Sequence, residues 1–176
     1  MAVEFIGYPA PHVPQPDGTE LCFASIGSSM TGATVDEVDR ALATAKLYNA
    51  QGEIMPMGET SLKVPGSVMA IEPVTSPFDG IEDTKAVLGL FDAQFVAKRA
   101  VAILYKKYNG SDNNQYHWIS LTGYALAIGV KGAIRTMDPL RKHINYYRRE
   151  QVADMIDRSN RDLGFYAYAL SVSPED

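Results

Sequence analysis

The sequence contains one cysteine, Cys22, and three histidines, His12, His117 and His143. A thiol is a strong nucleophile only as the thiolate, and two features lower its pKa: the positive end of a helix dipole and a neighbouring imidazolium. Cys22 lies where a proline-rich segment changes to a helical pattern, which supplies the first feature. His117 opens a strand-like segment just after a polar loop, so it is the best candidate for the second.

A histidine that both takes and gives a proton needs a partner that fixes its tautomer and orientation. Asp138 fits this role, because it ends the strand-like segment 133–137, and antiparallel pairing with the His117 strand brings that end beside His117. Residues 127–132, with two glycines, serve as the extended turn. The competing interpretation of Asp138 is an ordinary turn residue, since aspartate before proline initiates turns.

Acyl transfer also requires hydrogen-bond donors for the oxyanion that develops on the attacked carbonyl. The backbone amide of Cys22 is one candidate donor, and the side-chain amide of Gln15 is the other. Gln15 has a competing interpretation as a simple loop residue. Trp118 follows His117 directly, so it is the first candidate for contact with a substrate, although most aromatic residues of this chain are expected in the core or in a cleft wall.

The elements that must position these residues begin with an arm. Residues 1–20 contain four prolines, which predicts an extended segment with a possible short edge strand at 3–6. A first helix is predicted from about 19–21 until Gly32. Thr34 and Glu37 have the spacing of a capping box, which predicts a second helix from 35 to about 48.

The rest of the chain changes from irregular to strand-rich. Residues 49–80 are punctuated by proline and glycine and predict a long irregular connection, with a short strand or helical turn at 67–71. The further predicted elements are a helix from 81 to 91 or to 98, strands at 100–105, 116–124 and 133–137, a turn at 109–114, a helix at 148–156 and a strand at 165–172. Helices first and an antiparallel sheet afterwards predict a single α+β domain over residues 1–176.

The composition excludes several classes of protein. The 176 residues, 46% of them hydrophobic and 21% charged, are typical of one ordered globular domain. The net charge of −5 disfavours nucleic acid and anionic membrane surfaces as partners. The basic residues at 141–142 and 148–149 are expected to be a solvated helix start.

Other features bound the location and the cofactors. Neither a signal peptide nor a membrane span is visible, so the compartment stays open between the cytoplasm and secretion as an effector. A lone cysteine excludes an intrachain disulfide and a multi-cysteine zinc site. The three histidines lack ligand spacing, and His12 and His143 are expected to be exposed, so no metal or other cofactor is predicted. The oligomeric state stays open.

Three segments of this chain resemble the papain-like cysteine peptidases of bacterial type, which include bacteriocin-leader peptidases and related secreted effectors. The segments are residues 15–30 (QPDGTELCFASIGSSM), residues 117–124 (HWISLTGY), and Asp138-Pro139 with the tyrosine-rich stretch before residues 148–152. They cover about a third of the chain and leave residues 33–99 unaligned.

The resemblance implies a papain-like fold in which N-terminal helices pack on a C-terminal antiparallel sheet. It also implies that Cys22 is the nucleophile, His117 the base and acid, Asp138 the orienting residue and Gln15 the oxyanion donor. The expected activity is hydrolysis of an amide bond in a peptide or protein through a thioester.

Two alternatives stay open. The same Cys-His-Asp order serves transglutaminases, protein deamidases and arylamine acetyltransferases, so the residues do not fix the substrate class. The second alternative is a non-catalytic module that uses the same scaffold to hold a peptide or a protein partner.

Overall fold

A computed structural model describes residues 4–16, 21–50, 52, 54, 58–74, 84–107, 115–127, 130–163 and 166–175. The predicted helix starts at 19–20 and 81–83, the predicted turn at 109–114 and parts of the predicted irregular connection lie outside these residues. The elements are β1 (Glu4–Gly7), α1 (Cys22–Thr31), α2 (Val35–Thr44), β2 (Thr60–Val64), β3 (Ser67–Pro73), α3 (Thr84–Val96), β4 (Ala100–Lys107), β5 (Gln115–Ala127), β6 (Val130–Met137), β7 (Asn145–Tyr147), α4 (Arg149–Leu163) and β8 (Tyr166–Pro174).

The strands form one antiparallel sheet. Their order is β2-β3-β8-β4-β5-β6-β7, and β1 pairs with the C-terminal half of β5, where Gly7 lies opposite Gly123. The close approach at this pair requires glycine, because a Cβ on Gly7 would lie 2.2 Å from the Thr122 carbonyl oxygen. β8, the last strand of the chain, lies between β3 and β4 in the middle of the sheet.

Each face of the sheet is covered by helices. Successive strand residues point to opposite faces, so Leu104 and Trp118 join one hydrophobic cluster while Ile103 and Ile119 join the other. The first cluster contains the buried side chains of α1 and α2, and the second contains those of α3 and α4. The sheet is therefore the middle layer of three.

The coarse class agrees with the prediction: helices and strands are mixed, and the sheet is large and antiparallel. Two details differ. Helices lie on both faces of the sheet, so the predicted arrangement, in which N-terminal helices pack on a sheet, describes only α1 and α2. In addition, β2 and β3 precede α3, so the helices and strands are not segregated along the chain.

Residues 49–80 differ most from the prediction, although the short strand or helical turn predicted at 67–71 is present as β3. Instead of an irregular connection, β2 and β3 form a hairpin in which Val64 pairs with Ser67 across Pro65-Gly66. Gly66 has a φ of 80°, the value that a type II turn requires at its third residue. The inward side chains of the hairpin alternate with outward ones, and the buried ones are Leu62, Val64, Met69 and Ile71.

Other boundaries show what local pattern could predict. α1 ends where Gly32 adopts the left-handed conformation, as expected, and the predicted capping box of α2 is present. β7 was not predicted, and α4 extends beyond the predicted end at 156. Arg149, which was expected to be solvated, donates two hydrogen bonds of 2.9 Å to Asp92 and so ties α4 to α3. None of the helices among the described residues is long and apolar enough to cross a membrane.

Candidate active site

α1 runs alongside β5. At its N-terminal end the ring of Phe23 packs edge-on against Trp118, with 5.1 Å between the ring centroids. At its C-terminal end the hydroxyl of Tyr8 donates to the Met30 carbonyl at 2.9 Å, while the Tyr8 amide donates to the Thr122 carbonyl at 2.8 Å. α1 therefore begins at the end of the sheet where β5 begins. We call this region, which contains Cys22, Phe23, His117 and Trp118, the β5 start.

Cys22 is the first residue of α1. The preceding residue, Leu21, makes no side-chain capping bond, and the first turn of α1 contains no acidic residue. The positive end of the helix dipole therefore acts on the Cys22 sulfur without a competing carboxylate from the helix itself. Cys22 is 8% exposed.

His117 and Asp138 form a direct pair. The distance from His117 Nε2 to Asp138 Oδ1 is 2.7 Å, and the two residues are 3% and 4% exposed. An ionised carboxylate only accepts hydrogen bonds, so Nε2 carries the hydrogen and donates it. Proton exchange with a thiol would consequently run through Nδ1.

The surroundings of Asp138 favour its charged form. Burial is the largest single influence and raises the pKa of the Asp138 carboxyl, while the hydrogen bond and the charge of His117 lower it. The Leu140 amide, which donates to Oδ1 at 2.9 Å, and Arg141, whose Nε lies 3.9 Å from Oδ2, lower the pKa further. The net pKa is below its usual value, so Asp138 is ionised at neutral pH.

The N-terminal arm runs to the same end of the sheet. Arg135 donates to the Ala10 carbonyl at 2.6 Å, and Ser29 of α1 donates to the Pro11 carbonyl. Farther along, His12 Nε2 lies 3.1 Å from the Asp138 carbonyl oxygen, and the main-chain amide of Gln15 donates to the Pro139 carbonyl at 3.1 Å. The arm therefore brings Gln15 to the β5 start.

The expectation for His12 was wrong. It was predicted to be exposed, whereas it is half-buried and contacts the main chain of Asp138. Its neighbours in sequence gave no signal, because only the folded arm brings residue 12 beside residue 138. His143, in contrast, is exposed as predicted.

Trp118 lies in the core, which corrects its assignment as a substrate-binding residue. It is 2% exposed and packs between Phe23 and Tyr168. Its indole N–H donates to the Ile54 carbonyl at 2.8 Å, which satisfies the one polar group of the ring. Trp118 packs under the β5 start on the α1 face of the sheet, and its side chain is too buried to contact a ligand.

Tyr48 is a residue of this region that the sequence analysis missed. It is half-buried, its hydroxyl donates to the Asp39 carboxylate, and its backbone pairs with Ile54. Burial raises the pKa of Tyr48 most, followed by the hydrogen bond and charge of Asp39, and Cys22 makes the smallest contribution in the same direction. Tyr48 therefore stays a neutral phenol at neutral pH.

The alternation along β5 limits how the site can be completed. His117 has the same parity as Ile119, whose side chain faces α3 and α4, whereas Cys22 belongs to the cluster on the α1 face. A partnership between His117 and Cys22 has to form around the end of the sheet, where both α1 and β5 begin.

No group of three or more His, Cys, Asp or Glu side chains within the described ranges could hold a metal ion. Comparisons of this chain with protein-family models, curated proteins and solved structures find no match.

Proposed function

We propose that this protein is a papain-like cysteine hydrolase that cleaves an amide bond in a peptide or protein substrate. Cys22 is the nucleophile, His117 its base and acid, and Asp138 the residue that orients His117. The observation that carries the proposal is the 2.7 Å hydrogen bond between the buried side chains of His117 and Asp138, at the end of the sheet where the cysteine-bearing helix begins.

A buried imidazole–carboxylate pair favours a catalytic role over a structural one. Removing two ionisable groups from water costs several kcal/mol per ion, so such pairs contribute little net stability compared with apolar side chains of similar size. Perturbed ionisable groups instead concentrate at functional sites. The lowered pKa of Asp138 keeps a negative charge beside His117, which stabilises the imidazolium that forms when the thiol gives up its proton.

The reaction proceeds in two halves. The Cys22 thiolate attacks the amide carbonyl carbon and forms the C–S bond, and His117 then donates its proton to the leaving nitrogen as the C–N bond breaks. His117 next takes a proton from water, whose oxygen attacks the thioester carbonyl. The C–S bond breaks, the carboxylic acid leaves, and the thiolate–imidazolium pair is restored.

The oxyanion of each tetrahedral intermediate needs donors that are already oriented. The Cys22 backbone amide, at the N-terminus of α1, is one donor in this proposal. The side-chain amide of Gln15 is the second, which is supported by the bond that holds the Gln15 main chain to Pro139.

A non-catalytic binding module is the second candidate. The low exposure of Cys22, His117 and Asp138, at 8%, 3% and 4%, is the observation that favours it, because a substrate carbonyl must reach the sulfur. The two functions differ in the reactivity of Cys22, which the following experiment measures.

The test is the rate of Cys22 alkylation by iodoacetamide as a function of pH, in the wild type and in His117→Ala. An unperturbed thiol with a pKa of about 8.5 is only about 1% thiolate at pH 6.5. The activated thiol should therefore react about tenfold faster at pH 6.5 than a model thiol, and His117→Ala should remove this excess. His143→Ala is the matched control and should leave the profile unchanged.

A wild-type Cys22 that reacts no faster than a model thiol, and that is indifferent to His117→Ala, would exclude the hydrolase and leave the binding module.

A further inference from the structure

His12 contacts the residue that orients the proposed base. Its Nε2 lies 3.1 Å from the carbonyl oxygen of Asp138, although the two residues are 126 positions apart. A carbonyl oxygen only accepts hydrogen bonds, so Nε2 of His12 carries the hydrogen and donates it. Both the Nε2–H tautomer and the imidazolium can make this bond.

The Asp138 residue is held at both of its ends. Its carbonyl oxygen accepts from His12 and, at 3.0 Å, from the Arg141 amide, which uses both lone pairs of that oxygen. Its carboxylate oxygen Oδ1 accepts from His117 and from the Leu140 amide. Of these four donors, the amides of residues 140 and 141 are local to the turn, and His117 is the proposed base. His12 is the donor that comes from the N-terminal arm.

The arm itself is anchored before it reaches Asp138. Arg135 holds the Ala10 carbonyl and Ser29 holds the Pro11 carbonyl, so His12 is delivered from a fixed main chain. Three residues later, the main-chain amide of Gln15 donates a hydrogen bond to the Pro139 carbonyl. His12 and Gln15 thus bind consecutive carbonyl groups of the Asp138-Pro139 segment.

We propose that His12 is a positioning residue of the candidate active site. Its hydrogen bond fixes the Asp138 main chain, so that the carboxylate stays directed at His117 Nε2, and it sets the distance between this pair and the arm that presents Gln15. The inference rests on the proposed function, because it assigns His12 to the same Cys22 site.

The test compares three variants of His12 with two control variants of His143. His12→Gln keeps a donor at nearly the reach of Nε2, whereas His12→Phe keeps the ring volume and loses the donor. His12→Asn is the second comparison with His12→Gln, because its amide is polar but too short to reach the Asp138 carbonyl, and it is used if His12→Phe does not fold. His143→Gln and His143→Phe are the matched controls at an exposed histidine.

The first readout is the pair of imidazole ¹⁵N resonances of His117 and its Nε2–H proton resonance, which report the tautomer and the bond to Asp138. The second readout is the pH profile of Cys22 alkylation. His12→Phe and His12→Asn should weaken the Nε2–H signal of His117 and slow alkylation at pH 6.5 about tenfold, within the about hundredfold loss that a 1 Å misplacement can cause. His12→Gln and both His143 variants should resemble the wild type.

Two results would overturn the role of His12. One is a set of His117 resonances that is the same in the wild type and in every His12 variant. The other is an equal loss in His12→Gln and His12→Asn, which would indicate only a structural role. If wild-type Cys22 is itself unreactive, the hydrolase fails, and the His117 resonances still decide whether His12 positions the pair.

Discussion

The N-termini of α1 and α2 are built in opposite ways. At α2, Thr34 and Glu37 form a reciprocal capping box with bonds of 3.1 and 2.9 Å, and Asp36 adds a second carboxylate to the first turn. Thr34 also lowers the pKa of Glu37, chiefly through its backbone amide. At α1, Leu21 offers no capping side chain, and Cys22 occupies the first helical position.

The start of α2 is built for the local stability of the helix, whereas the start of α1 leaves the positive end of its dipole uncompensated. Capping groups satisfy helix amides, and first-turn carboxylates neutralise the positive end of the dipole. α2 has both, in addition to the burial of Val38 and Leu42. α1 has neither, so its positive end remains available to stabilise an anion at Cys22, and tertiary contacts through Phe23, Ser29 and Met30 hold the helix in place.

The largest loss of stability is expected when Asp138, which holds His117 at the β5 start, is replaced. Asp138→Ala removes the acceptor of His117 Nε2 and of the Leu140 amide, which should lower the free energy of unfolding by about 3 kcal/mol. Asp138→Asn keeps the shape and one acceptor, so it should cost about half as much. Urea denaturation at pH 7 measures both. Equal, negligible losses in the two variants would show that this region is not held by Asp138.

The same carboxylate predicts a pH dependence of stability. The pKa of Asp138 is lower in the folded protein than the reference value of 3.8, so its contribution is complete above that value. The contribution should be lost as the pH falls from about 3.8 through the lower folded pKa. Unfolding curves of the wild type and Asp138→Asn should therefore converge in this window. A constant difference between them down to the acid limit would contradict the assignment.

The contact between the two helices can be tested at Gly27. A Cβ there would lie 2.6 Å from Cγ1 of Val38, which is fully buried, so Gly27→Ala should destabilise the protein by about 2 kcal/mol. Gly89→Ala in α3 is the matched control, because no atom of the described residues outside its own stretch of helix lies within 4 Å of its added Cβ. It should stabilise the helix by up to about 1 kcal/mol. Thermal unfolding compares the two, and a destabilised Gly89→Ala would invalidate the comparison.

The local cap of α2 predicts a smaller effect. Thr34→Ala removes the hydroxyl that accepts the Glu37 amide and should cost about 1 kcal/mol, while Thr34→Ser should cost much less. Neither variant should change the alkylation rate of Cys22. A change in that rate would show that the start of α2 is coupled to the start of α1.

The smallest effect is expected when α1 is given the character of α2. Leu21→Asp places a carboxylate at the N-cap, and Leu21→Asn provides the uncharged cap with the same loss of packing. The added charge should raise the pKa of the Cys22 thiol by about 0.5 relative to Leu21→Asn, the equivalent of somewhat under 1 kcal/mol. The pH profile of alkylation measures this difference. Identical profiles would mean that the helix dipole does not act on Cys22.

Local pattern predicted some elements well. The capping box of α2 and the stop at Gly32 were correct because both depend on residues within one turn of each other. The hairpin of β2 and β3 was missed, although Pro65-Gly66 and the alternation through Leu62 and Met69 were visible in the sequence. The proline and glycine were interpreted as irregularity when they mark a tight turn.

In the candidate site, too, contacts that follow from local sequence were predicted and contacts between distant segments were not. The order of Cys22, His117 and Asp138 suggested a functional group from sequence, and pairing of the two strands suggested that the last two would meet. Trp118 is buried between Phe23 and Tyr168, which local sequence could not predict because both partners are far from it in the chain. His12 was wrong because a proline-rich arm contains no local signal for the partner on which it docks.

The sequence by itself determined that α1 stops at Gly32, that α2 starts with a capping box, and that a cysteine occupies a helix N-terminus, because each of these depends on neighbours in the chain. The tertiary structure decided that β8 enters the middle of the sheet, that helices cover both faces, and that His12 reaches Asp138. These contacts join residues far apart in sequence, and their formation depends on the loop-closure entropy and packing of the whole fold.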